Sequence, residues 1–106
     1  MITMIARMRV STGNAAAYEA LLSHVAAMTL RHEPGVPYYA WAKSADDPGT
    51  YLVVEVYRDA EAHAAHMASD WVRESLPRSK ALVDGGFDIQ QYVSDGSEPV
   101  QLTMKS

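Results

Sequence analysis

The stretch Thr50–Tyr57 most strongly limits how this chain can fold, because it is apolar or aromatic on both of its faces. Its β-branched and aromatic side chains favour a strand. A strand that is apolar on both sides must be covered on both sides. We therefore expect Thr50–Tyr57 to lie in the middle of a sheet, with helices on one face and a second layer on the other.

Turn signals and hydrophobic periodicity divide the chain into one β-α-β-β-α-β series. The other predicted strands are Met1–Val10, Val36–Lys43 and Phe87–Ser94, and the predicted helices are Ala15–His32, Ala60–Ala68 and Trp71–Val83. Pro37 places the second strand at a sheet edge because it cannot donate a ladder hydrogen bond. Pro77 is expected to kink or split the last helix, and Gly85-Gly86 to end it. This order predicts an α+β, ferredoxin-like sandwich with an antiparallel sheet and both helical segments on one face.

Such a sheet would leave its second face open to water. On that face the first strand carries the apolar Ile5 between Thr3 and Arg7. The third strand also carries apolar side chains on that face. We therefore expect two copies to pack sheet to sheet as a symmetric homodimer. One domain is expected over residues 1–95, and the polar tail over 96–106 could cross to the partner subunit.

Composition excludes several classes of protein. The 106 residues carry a net charge of −4 and contain no cysteine. We expect no disulfide framework, no nucleic-acid binding and no membrane span, and a cytoplasmic location. Arg7 and Arg9 interrupt the apolar N-terminal stretch, which argues against a signal peptide.

A series of short motifs runs in a fixed order through residues 1–95: Glu33-Pro34-Gly35, Tyr39, Glu55-Val56-Tyr57, Arg58-Asp59, Ala62, His66 and Ser69-Asp70-Trp71. Together they resemble the antibiotic biosynthesis monooxygenase family, which includes small quinol monooxygenases. The resemblance implies a dimeric α/β barrel with a pocket between sheet and helices, and oxygenases that need no cofactor. His66 matches the family's histidine and Glu55 its strand glutamate. Relatives often carry Pro-His where this chain has Asp70-Trp71.

His66 and Glu55 are the candidate catalytic residues. A histidine titrates near neutrality and suits proton abstraction from a phenol. Its structural alternative is a helix-end histidine bonded to carbonyls. Glu55 lies among apolar neighbours, so it is expected to be desolvated or paired with Arg7 or Arg9. It could orient His66 or a substrate hydroxyl, or form an ion pair at the dimer interface.

Four aromatic residues could line a slot for a flat aromatic substrate, although ordinary packing explains each of them alone. They are Tyr39, Trp41, Tyr57 and Trp71. His63 and His66, with Asp59 or Asp70, could form a metal site, but helix-surface contacts explain the same spacing, and no metal is expected.

The leading hypothesis is a cofactor-independent monooxygenase that oxidises a small quinol or polyphenol with molecular oxygen. Three alternatives remain open at this point. They are an isomerase or lyase of a small carbonyl metabolite, a non-catalytic dimer that binds an aromatic ligand, and a haem-degrading enzyme in which His66 or His63 ligates iron.

Overall fold

The computed structural model describes residues 1–102 of the chain. The element order is β1 (Ile2–Val10), a 3-10 turn (Thr12–Asn14), α1 (Ala15–His32), β2 (Tyr38–Lys43), β3 (Thr50–Tyr57), α2 (Ala60–Ala68), α3 (Asp70–Leu82) and β4 (Val83–Val93). This order confirms the predicted α+β, ferredoxin-like architecture.

The four strands form one antiparallel sheet in the order β2-β3-β1-β4. The central position of β3 and the edge position of β2 agree with the expectations from its two apolar faces and from Pro37. Within the described chain the sheet is open. In the register, Glu55 on β3 lies opposite Met4 on β1 and Tyr39 on β2. These three side chains therefore project from the same face of the sheet.

That face packs against the helices. Alternate residues of β1 are buried, from Ile2 to Val10, as the period of two predicts. The apolar stripe of α1 faces them with four buried side chains, Tyr18, Leu21, Leu22 and Val25. The inner face of the sheet thus becomes one wall of the space that holds the candidate site.

Two predictions about the second half of the chain are wrong. Pro77 does not split the last helix, because α3 continues from Asp70 to Leu82, while the kink expected there stays a prediction. Pro77 is exposed and removes only its own hydrogen bond from the ladder. The last strand begins at Val83 rather than Phe87, and Gly85 lies within it with a φ of +77°. The β1–β4 register shifts between Arg7 and Arg9, so Gly85 belongs to an irregularity of the sheet.

After β4 the chain turns back toward its own sheet. The side chain of Gln91 accepts a hydrogen bond from the Val100 amide at 2.8 Å and donates one to the Val100 carbonyl at 3.1 Å. Leu102 packs against the core of the same chain. The crossing of the tail to a partner subunit stays a prediction, and residues 103–106 lie outside the described part. Within residues 1–102, no helix has the length and apolar character needed to cross a bilayer.

Candidate functional site

A cavity of about 490 Å³ lies between the inner face of the sheet and the three helices. Its walls are mainly aliphatic and methionine side chains from β1, α1 and α3, including Met4, Met8, Leu21 and Leu76. Gln101 and Leu102 of the C-terminal segment also line it. Enclosed, mainly apolar spaces with a few polar groups are typical of small-molecule sites.

His66 lines this cavity and is buried, with 3% of its surface exposed. It lies in the last turn of α2, which begins where the Asp59 side chain accepts a hydrogen bond from the Ala62 amide. Its Nδ1 lies 3.0 and 3.1 Å from the two carboxylate oxygens of Glu33. Nδ1 therefore carries the proton and donates it to Glu33, which leaves Nε2 as the acceptor.

Glu33 follows directly after α1, where Pro34 excludes helical backbone. Its backbone is extended, with φ −117° and ψ 92°, and its side chain is 9% exposed. The Trp71 indole donates a second hydrogen bond to Glu33 Oε2 at 2.7 Å. Donors from two different helices thus hold this carboxylate against the imidazole.

The turn that carries Glu33 packs closely on α2. A Cβ added at Gly35 would lie 2.7 Å from the Ala62 Cβ, closer than side chains can approach. The Gly35 carbonyl also accepts a hydrogen bond from the Arg58 amide at 2.9 Å. Because Gly35 has no side chain, the Glu33 turn and the helix of His66 can be in direct contact.

Burial lowers the pKa of His66, and the neighbouring Glu33 opposes that shift. The imidazole is therefore neutral at neutral pH. Its Nε2 has no hydrogen-bond partner among residues 1–102, and the ring borders the cavity. A neutral imidazole whose far nitrogen is held by a carboxylate can take a proton from a bound hydroxyl, because the carboxylate stabilises the imidazolium that forms.

Glu55 also lines the cavity, and the Tyr57 hydroxyl donates a hydrogen bond to it. Burial raises the pKa of Glu55 to about 7, the Tyr57 hydrogen bond opposes the shift, and the charge of Glu33 adds to it. Glu55 pairs with neither Arg7 nor Arg9, which project from the opposite face of the sheet. Arg9 instead forms an ion pair with Asp47 at 2.6 Å. The dimer-interface ion pair considered for Glu55 finds no support in this inward position.

The four predicted aromatic residues divide into three settings. Tyr39 lines the cavity, and its ring centroid lies 5.3 Å from that of His66. Tyr57 and Trp71 are not among the residues that line the cavity. The Tyr57 hydroxyl donates a hydrogen bond to Glu55, and the Trp71 indole donates one to Glu33. Trp41 lies apart, and its indole donates to the Ser23 hydroxyl at 3.0 Å. Of the four residues predicted to form an aromatic slot, Tyr39 alone lines the cavity.

The residues considered for a metal site are dispersed. His63 and His66 both border the cavity, with the Tyr57 ring against each of them. Asp59 is engaged as the cap of α2, and Asp70 is exposed and 4.0 Å from Arg73. Over residues 1–102 there is no group of three or more histidine and carboxylate side chains that could hold a metal ion.

Glu33 is the site residue that sequence reasoning did not assign to the pocket. In the sequence it appears as part of a helix stop, and 33 residues separate it from His66. The signal that could have identified it is Pro34, which turns the preceding residue out of the helix. A carboxylate at that position leaves the helix axis and can accept hydrogen bonds from donors on neighbouring helices.

Comparisons with known proteins give a family match and similar folds. A family model described as "Antibiotic biosynthesis monooxygenase" matches residues 1–77, which contain Glu33, Glu55 and His66. No curated protein matches the chain.

Solved structures give the same fold. A provisionally named antibiotic biosynthesis monooxygenase from Deinococcus radiodurans is 25% identical with a TM-score of 0.80, over 95% of this chain and 99% of that one. Another, from Caulobacter crescentus, is 25% identical with a TM-score of 0.82, over 86% of each chain. A protein from Shewanella oneidensis is 27% identical with a TM-score of 0.77, over 86% of this chain and 87% of that one.

Proposed function

Because the chain belongs to the antibiotic biosynthesis monooxygenase family, we propose that it is a monooxygenase that oxidises a small quinol or polyphenol with molecular oxygen and without a cofactor. The observation that carries this proposal is the Glu33–His66 pair at the wall of an apolar cavity. It supplies a neutral base where a phenol would be sheltered from water.

The first step is removal of a hydroxyl proton. His66 Nε2 accepts it, and Glu33 stabilises the resulting imidazolium. Protonated Glu55 donates a hydrogen bond to the second oxygen of the quinol and so orients the ring. The aliphatic walls exclude water, which strengthens each of these electrostatic contacts.

The ionised quinol then reacts with oxygen directly. It gives one electron to O₂, and the two radicals combine so that a C–O bond forms at a ring carbon that carries hydrogen. The proton on His66 passes to the peroxide. The hydroperoxide loses water as its O–O bond breaks and the ring C–H proton leaves. One quinol and one O₂ give one hydroxyquinone and one water, so the substrate supplies all the electrons.

The test is oxygen uptake with a panel of quinols, comparing the native protein with His66→Ala. General-base catalysis by a side chain contributes roughly a hundredfold or more, and we expect a loss of that size. His24→Ala is the matched control, because His24 is exposed on α1, and it should keep the native rate. Equal rates for the native protein and His66→Ala would remove His66 from the mechanism.

A second candidate function is isomerisation of a small carbonyl metabolite. It is favoured by Glu55, whose pKa of about 7 suits both proton donation and proton uptake. Turnover that continues after oxygen is removed would support isomerisation and contradict the oxygenase. A dimer that only binds an aromatic ligand would show no turnover under either condition.

A further inference from the structure

The cavity has a second polar end, formed by two hydroxyl groups. The Tyr18 hydroxyl on α1 and the Ser79 hydroxyl on α3 lie 3.0 Å apart, and both residues line the cavity. Tyr18 is 1% exposed, and its ring lies edge-on to Tyr51 with centroids 5.9 Å apart.

This hydroxyl pair lies on α1 and α3, whereas Glu55 lies on β3. Tyr51, whose ring Tyr18 contacts, precedes Glu55 by four residues, roughly 13 Å along the strand at about 3.3 Å per residue. Burial raises the pKa of Tyr18, and the charge of Glu55 adds to that rise, so the two polar groups act within one cavity. The inward-facing side chains of the neighbouring strand, Met4, Ala6 and Met8, line the cavity opposite this stretch and are apolar.

One hydroxyl proton of the pair has no acceptor. A bond between two hydroxyls uses one proton, and a phenol is the stronger donor, so Tyr18 donates to Ser79. The Ser79 proton then has no partner within residues 1–102, whereas the nearby Ser75 hydroxyl donates to the Val72 carbonyl at 3.0 Å. Ser79 is half-buried at the cavity wall, so this proton can be donated to the acceptor of a ligand in the cavity.

The charge of the cavity restricts that acceptor. The residues described as lining it include no lysine or arginine, and the titratable groups among them are Glu55, His63, His66 and the two tyrosines. A carboxylate or phosphate at the hydroxyl end would therefore be buried without a counter-ion, which is strongly unfavourable. A neutral oxygen suits the site.

We propose that the Tyr18–Ser79 pair is a second polar subsite, which binds a neutral carbonyl oxygen at the far end of an elongated aromatic substrate whose ionisable hydroxyl lies at His66 and Glu55. This inference rests on the proposed function for the His66 end. It adds that the substrate carries polar groups at both ends, and that Ser79 determines specificity for the second one.

The test is a fluorescence binding titration with two matched neutral naphthols. One carries an acetyl group at the end opposite its hydroxyl, and the other carries an isopropenyl group of the same shape there. One neutral hydrogen bond predicts that the native protein binds the ketone roughly twofold to tenfold more tightly. Ser79→Ala removes the hydroxyl that donates to the ketone and should abolish that preference. Ser75→Ala should keep it, because the Ser75 hydroxyl is already bonded within its own helix.

Ser79→Ala that retains the preference would overturn the proposal, as would native protein that binds both naphthols equally or binds neither. The measurement needs no oxygen and no turnover. A ketone preference in a protein that oxidises no quinol would therefore contradict the oxygenase and leave the subsite standing. A protein that oxidises quinols but shows no preference for the ketone would support the oxygenase and contradict the subsite.

Discussion

Glu33 and Glu55 are two carboxylates with different surroundings at one site. Glu33 accepts hydrogen bonds from His66 and from Trp71, and both donors stabilise negative charge. Glu55 receives a hydrogen bond from Tyr57 and lies otherwise against apolar walls, so its protonated form is favoured. Glu33 therefore positions the His66 imidazole, and Glu55 is the carboxyl group that would contact the ligand.

The raised pKa of Glu55 makes stability depend on pH. Because its folded value of about 7 lies above its ordinary value of 4.5, the folded protein binds more protons than the unfolded chain between these pH values. The free energy of unfolding contributed by this group is therefore greatest at low pH and falls as the pH rises through that window. Glu55→Gln stays neutral at every pH. As the pH is raised from about 5 to about 8, the free energy of unfolding of this variant relative to that of the native protein should therefore increase by up to about 3 kcal/mol.

Urea denaturation of both proteins at the two pH values measures this difference. The titration of His66 is common to both proteins and largely cancels in the comparison. A stability difference that is the same at both pH values would show that Glu55 is not desolvated in the folded state.

The positions of some site residues could be predicted from the sequence, and those of others could not. Glu55 could be placed on the buried face because strand alternation is a local property. Glu33 could not be paired with His66, since that contact depends on how the end of α1 meets α2 in three dimensions. Trp41 and Trp71 belong to the same residue type and were given the same role, but only the helix packing decides that one faces Ser23 and the other Glu33.

At the scale of elements, the site depends on how the Glu33 turn contacts α2. Gly35 and Ala62 form that contact, and Gly35 has no room for a Cβ. The spacing between Glu33 and His66 is therefore set by two small residues that do not touch the cavity chemistry themselves.

Gly35→Ala should destabilise the protein by about 1–3 kcal/mol, because its methyl group would overlap the Ala62 methyl group. Ala62→Gly should cost about 1 kcal/mol through helix propensity alone. The double variant Gly35→Ala/Ala62→Gly should lose less than the sum of the two, because removing the Ala62 methyl restores the space. Urea denaturation of the four proteins gives this coupling, and strictly additive losses would contradict the contact.

Two elements were misjudged for reasons of local ambiguity. Gly85-Gly86 fits a helix stop as well as an irregular strand, and only the pairing with β1 decides between them. Pro77 disrupts a helix in isolation, but packing of α3 on α1 and the sheet outweighs the loss of one hydrogen bond. The alternation of β1 and the stripe of α1 were predictable, because burial on one face imposes its period on the sequence.

At the scale of the whole molecule, the outer face of the sheet has an apolar centre that the helices do not cover within residues 1–102. Ile5 and Val54 pair across β1 and β3 at its centre, with Leu52 and Val56 beside them, and all four are half-buried in the single chain. Apolar side chains on neighbouring strands form a continuous patch of the kind that protein interfaces use.

We expect the protein to be a homodimer that buries this face. Val54→Lys should place a charge at the centre of the interface and produce a monomer at low micromolar concentration, whereas the native protein should have twice the chain mass. Leu30→Lys is the matched control, since Leu30 is 53% exposed on α1, and it should remain dimeric. Light scattering measures all three masses, and a native protein of single-chain mass would refute the dimer.

The cavity of about 490 Å³ occupies the place where most chains of this size keep their densest packing. A molecule that fills it would supply the van der Waals contacts that the folded chain lacks, and would bind the native state alone. By mass action, ligand and fold then stabilise each other. In a living cell, quality-control proteases would remove the empty protein faster than the occupied one. The standing amount of this protein would thus follow the supply of its own ligand, without any dedicated regulator.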